Sequence, residues 1–134
     1  MAQASNFLEH KFLTGLLGGS NVTFSGKPYI ALMKSSPSDT GGGTEVTGTN
    51  YARVRVGDAG QGSFSVGATG TATNTAAFTF DDAGSAWGTV THIALFDSSS
   101  GGNMLLFANL NASANVQSGD IFKIPASGFT ITMD

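Results

Sequence analysis

A chain of 134 residues that is 40% hydrophobic and holds ten Phe has ample material for one core, which excludes global disorder and points to a single domain, 1–134. Only 11% of the residues are charged, against about 25% in ordinary soluble domains, and the net charge is −3. There is therefore no basic footprint for nucleic acid or an anionic membrane surface, and the absence of cysteine excludes disulfides and thiolate metal sites.

The missing charge is replaced by Gly, Ser, Thr, Asn and Ala. A surface of that kind has little self-repulsion and little side-chain entropy to lose on contact. It suits a protein that works packed against copies of itself or a scaffold. It also suits a Gly/Thr-rich β domain with neutral loops, and composition leaves both open.

In chain order, the opening Met-Ala-Gln-Ala-Ser lacks the basic region and apolar stretch of a signal peptide, so synthesis in a cytoplasm is expected. Residues 6–17 carry Phe7, Leu8, Phe12, Leu13, Leu16 and Leu17 on one wide stripe at helical spacing. Asn6 with Glu9 resembles a capping box, and Gly18-Gly19 supplies a stop, so one amphipathic helix of about three turns is predicted. That helix either closes one end of a β domain or docks into a neighbouring subunit.

From residue 21 onward the period is two, and 21–134 is predicted to be all β. The first strong strand is 28–33, with Pro28 acceptable at its start. Residues 35–48, with Gly41-Gly42-Gly43, form the longest predicted loop. In 51–56, Ala52, Val54 and Val56 are expected on one face and Tyr51, Arg53 and Arg55 on the other. Further strands are predicted at 64–66, 71–80, 88–96, 104–108, 112–116, 121–124 and 128–133. Turns lie at 57–62, 81–86 and 98–102, and Ser118-Gly119-Asp120 reads as a hairpin turn. Eight to ten short strands with turns about every ten residues indicate an antiparallel β-sandwich, jelly-roll or immunoglobulin-like, with one N-terminal helix.

No catalytic, cofactor or metal constellation emerges. Gly57-x-x-Gly60-x-Gly62 lacks P-loop spacing and its Lys-Ser/Thr ending. His92 and Asp97 fall on opposite faces of one strand, and no serine lies in a nucleophile elbow. Asp81-Asp82 lacks the spaced ligands of a calcium loop. An enzyme is therefore not expected. The candidate partner-contact residues are Phe7, Leu8 and Phe12 on the helix, with Tyr51 and Trp87 as aromatics suited to a rim or interface.

Several segments together carry a resemblance: Ala4-Ser5-Asn6-Phe7-Leu8-Glu9-His10-Lys11, Leu16-Leu17-Gly18-Gly19, Tyr29-Ile30-Ala31-Leu32-Met33 and Tyr51-Ala52-Arg53. Asn74-Thr75-Ala76-Ala77-Phe78, Trp87-Gly88-Thr89-Val90-Thr91-His92-Ile93, Gly101-Gly102-Asn103-Met104-Leu105-Leu106-Phe107 and Gly119-Asp120-Ile121-Phe122-Lys123-Ile124-Pro125 extend it. The chain resembles a family of small structural proteins of tailed bacteriophages, often labelled tail-fibre proteins, some of which are capsid cement or decoration proteins.

The resemblance implies a virion component. The leading expectation is a cement protein on the capsid exterior, partnered by the major capsid protein and by copies of itself, with a trimer possible. The alternative is a tail-fibre or tail-tip module for a host surface receptor, with Trp87 and Tyr51 as sugar-stacking aromatics. If the protein lives in an assembly, low solubility near its isoelectric point of about 5.1 is expected.

Overall fold

The computed structural model describes residues 2–24 and 26–132. The chain is mainly β with antiparallel sheets and one helix near its N-terminus. It opens with β1 (Ala2–Ala4), α1 (Asn6–Leu17) and β2 (Tyr29–Met33), followed by β3 (Val54–Arg55), β4 (Phe64–Val66) and β5 (Thr71–Asn74). Then come β6 (Phe78–Thr79), β7 (Gly88–Phe96), β8 (Met104–Val116), β9 (Lys123–Ile124) and β10 (Thr130–Thr132). Met133, at the end of the last predicted strand, lies outside the described residues.

The strands form a five-stranded sheet, β1-β8-β7-β2-β3, a three-stranded sheet, β10-β5-β4, and the pair β6-β9. The long hairpin β7–β8 is the spine of the large sheet, with β2 laid against β7 over its whole length. One face of that sheet contributes Ile30, Leu32, Val90, Ile93 and Leu95 to the main core, which also takes Phe78, Phe80, Phe122, Ile124 and Phe129 from the other elements. Alternate residues Ala31, Met33, Ala94 and Phe107 pack on the opposite face, as the two-residue period requires. Burying each of the large apolar side chains contributes roughly 1.5–3 kcal/mol.

The structure differs from the predicted strand pattern in several places. Ala2–Ala4 is a strand, paired with Leu106–Ala108, although three residues, Ala-Gln-Ala, are too short to carry a readable period. Residues 71–80 are not one strand, because Asn74 ends β5 in one sheet and β6 begins in another. The buried Asn74 amide donates to Ala76 O and Pro125 O, both at 2.9 Å, and its Oδ1 accepts from Phe129 N–H at 2.8 Å. Conversely, 104–116 is one strand, in which residues 110–113 oppose only Thr91 and form a bulge. Finally, the turn at 118–120 does not close a hairpin. It carries the chain from β8 out of the large sheet to β9, which pairs with β6.

The predicted long loop folds back as an arm along β2. Lys34 N–H donates to Thr44 O and Val46 N–H to Leu32 O, at 2.7 and 2.9 Å. Val46 enters the core.

Candidate interaction surface

The helix starts one residue earlier than the predicted capping box. Ser5 is the N-cap, its hydroxyl accepting from Leu8 N–H, and Asn6 is already helical. The same Ser5 hydroxyl donates to Met104 O, which ties the cap to β8. At the other end Gly18 N–H donates to Thr14 O, and Gly19 takes a φ of +71° that ends the helix where Gly18-Gly19 is predicted to end it.

Between these ends α1 is poorly covered. Leu8 is its one buried residue. Phe12 is 42% exposed, Leu13 56%, Leu16 79% and Leu17 78%. One flank is screened by the chain's own continuation. The Phe24 ring lies 6.4 Å from that of Phe12, and Lys11 Nζ sits 4.6 Å from the Phe24 centroid. Val22 comes so close to Gly15 that a Cβ there would overlap its Cγ2.

The opposite flank is open. Leu13, Leu16 and Leu17 lie on it at spacings of three and four residues, and Phe12 stands on the border between the two flanks. At its base Ala4, Leu8, Glu9, Phe12 and Leu13 line a shallow, almost wholly apolar groove of about 270 Å³.

Of the five sequence candidates, Phe12 borders this open flank and Leu8 anchors the helix to the core. Phe7 is partly exposed and lines a separate cleft of about 420 Å³ with Asn6, Asp39, Thr40, Phe96 and Asn103. Trp87 is corrected: at 1% exposed it is a core residue, held by its indole N–H donating to Thr49 O at 3.1 Å. Tyr51 is corrected with it. Its ring packs edge-on against Trp87 and parallel to Phe80, and its hydroxyl accepts from Leu32 N–H and donates to Glu45. Neither ring offers a free face for stacking on a sugar. Leu13, Leu16 and Leu17, on the predicted stripe but outside the candidate set, are the most exposed large apolar residues of the helix.

One ion pair, Arg53 with Glu45, is largely internal. Arg53 donates from Nε and Nη2 to the two Glu45 carboxylate oxygens, each at 2.8 Å, and from Nη1 to the carbonyls of Ser98 and Gly101. Its guanidinium carbon lies 3.8 Å from the Phe96 ring centroid. The Arg53 side chain is 6% exposed, drawn inward by Glu45, whereas Ala52, expected on the same face as Val54 and Val56, is exposed because the ladder starts only at Val54. Burial pushes the Glu45 carboxyl up, but hydrogen bonds from Arg53 and Tyr51 and the Arg53 charge hold it below its ordinary value. Burial, with Glu45 beside it, pushes the Tyr51 phenol well up.

At the neighbouring turn, Asp97 accepts from Asn103 N–H at 2.7 Å and from Asn103 Nδ2–H at 2.9 Å. Burial raises its carboxyl, and those bonds with the Lys11 charge bring it below the ordinary value. His92 Nδ1 shares a hydrogen bond of 2.7 Å with the Thr91 hydroxyl.

Compared with known proteins, the chain matches one family model over residues 3–132, nearly its full length, and the family is described as Podophage GP4 fiber I protein gp80. No curated protein matches it.

Proposed function

This chain belongs to the family of podophage GP4 fiber I protein gp80 and is thus a fibre-related structural component of a phage virion; from that premise we propose that it is an assembly module of the tail-fibre apparatus. It works by holding other subunits rather than by catalysis. The observation that carries this reading is the uncovered apolar flank of α1, with Leu16 and Leu17 almost fully exposed beside Leu13 and Phe12. Monomeric soluble proteins seldom leave such a patch to water unless it meets a partner.

A charge-poor exterior supports the same reading, because it packs without long-range repulsion. These 134 residues contain no repeat of the kind that builds a shaft, which favours a junction or a tip over the shaft itself. Contact with a host receptor at a tip would run through polar side chains and loops, since Trp87 is buried and the partly buried Tyr51 ring is packed against Trp87 and Phe80.

The same neutral exterior favours a second reading, a cement protein on the capsid exterior that bridges major capsid subunits. Stable attachment there needs more than about 1,000 Å² of contact. Co-sedimentation of the purified protein with emptied heads, with isolated tails and with host cells tests the two. Retention on tails supports the fibre module; retention on heads alone replaces it with the cement protein.

A further inference from the structure

Two local irregularities of the backbone meet at one cleft, which no residue of α1 lines. On one side, at the β8 bulge, Asn109, Leu110 and Asn111 all border it, although the side chains of a regular strand alternate between faces. On the other side is the turn 127–130, in which Ser127 holds a φ of +61°. That conformation is costly for a non-glycine residue and persists only where its surroundings impose it. Here they do. Ser127 N–H donates to Asn74 O at 2.9 Å, Gly128 N–H to Pro125 O at 2.9 Å and Phe129 N–H to Asn74 Oδ1 at 2.8 Å. The cleft is therefore preformed, with a volume of about 260 Å³. We propose that it is a binding site for one uncharged sugar unit, such as the terminal pyranose of a glycan.

The lining limits the chemistry of the ligand. Every lining residue is uncharged, so an ionic group would lose water there without gaining a partner. Asn109, Asn111, Ser127 and Thr130 are exposed. Among the described residues, only the Thr130 hydroxyl of these four side chains is bonded, to that of Thr73 at 3.4 Å. Each amide offers donors and an acceptor, and each hydroxyl offers both. That mixture matches the adjacent hydroxyls of a sugar and suits neither a pure acceptor nor an apolar ligand. Between the polar groups Ile93, Leu110 and Phe129 supply an apolar strip, against which the C–H face of a pyranose packs. The cleft falls short of the ~300 Å³ at which drug-sized ligand pockets begin, so one unit fits and the rest of a glycan extends into solvent. The site stands on the cleft alone and is independent of the assembly surface on α1.

The test uses the full, isotope-labelled chain, titrated with D-glucose, D-galactose, D-mannose, N-acetyl-D-glucosamine and L-rhamnose and followed by its amide chemical shifts. At least one of these sugars is expected to give saturable shifts at residues 109–111 and 127–130, with a Kd of about 1–10 mM, the range for a ligand of about a dozen heavy atoms. Gluconate, which carries a carboxylate, is expected not to bind. Asn111→Ala is expected to weaken binding about fivefold or more. Ser127→Gly removes a hydroxyl while relieving the positive φ. It is expected to weaken binding in a chain no less stable to heat, which keeps the test decisive should Asn111→Ala disturb the bulge. No saturable shift with any of these sugars, shifts centred elsewhere, gluconate binding as tightly as a sugar, or binding indifferent to both substitutions would overturn the site. Each of those results leaves retention on tails, and with it the assembly reading, unchanged.

Discussion

Arg53 clamps Glu45 through two parallel hydrogen bonds of 2.8 Å, and the same guanidinium reaches the Ser98 and Gly101 carbonyls. One side chain thus joins the folded-back arm after β2, the approach to β3 and the turn between β7 and β8. Planar fork geometry, not charge alone, makes that possible. Arg53→Met is expected to lower stability by about 2–3 kcal/mol, less than a fully buried pair because Glu45 keeps some solvent contact. Arg53→Lys is expected to recover less than half of that loss. Urea unfolding followed by circular dichroism measures both.

Acid should act through the same cluster. Glu45 and Asp97 both titrate below their ordinary values of 4.5 and 3.8 in the folded chain. Carboxyls depressed on folding stabilise the native state above their unfolded values, and that stabilisation is lost as pH falls through the folded ones. Stability is therefore expected to hold from neutral pH to about 5 and to decline below about 4. Glu45→Gln is expected to start lower and to decline less steeply. A melting series from pH 7 to pH 3 on both proteins checks the sign.

Asn74 makes a prediction of its own. Its amide is fully sealed and satisfied by three backbone partners. Asn74→Asp removes the two donations and sets a carboxylate against two carbonyl oxygens, and is expected to cost about 3 kcal/mol or more. Asn74→Ala, which loses the bonds without adding charge, is expected to cost about 2 kcal/mol. The ordering of the two in chemical denaturation is the test.

The single tryptophan offers an optical reporter. A Cβ at Gly48, whose φ is +154°, would lie 2.7 Å from Trp87 Cδ1 and 2.9 Å from the Ser85 hydroxyl. Gly48→Ala is expected to displace the indole, destabilise the fold by about 1–3 kcal/mol and shift the blue emission of the buried ring to the red. An unchanged spectrum would show that the packing around Thr49 and Trp87 is looser than described.

How much of this was legible in the sequence depends on the range of the forces concerned. The helix over 6–17 and the strand over 88–96 are set by local spacing and appear where the pattern places them. Features decided by distant partners were not readable. Trp87 is buried because its N–H finds a carbonyl 38 residues away, and nothing near Arg53 announces Ser98. The turn at 118–120 has hairpin chemistry, yet the destination of β9 is set by Phe122 and Ile124 entering the shared core. On α1 the apolar stripe was visible, but its width hid a division. Leu8 faces the protein, while Leu13, Leu16 and Leu17 face outward.

The central claim, that the protein is a fibre-apparatus module, is tested most directly by its copy number and position in intact virions. Quantitative mass spectrometry against the major capsid protein, with immunogold labelling, gives both. A small number of copies, confined to the tail, is the predicted result. Hundreds of copies spread over the head would contradict it and assign the protein to the capsid surface.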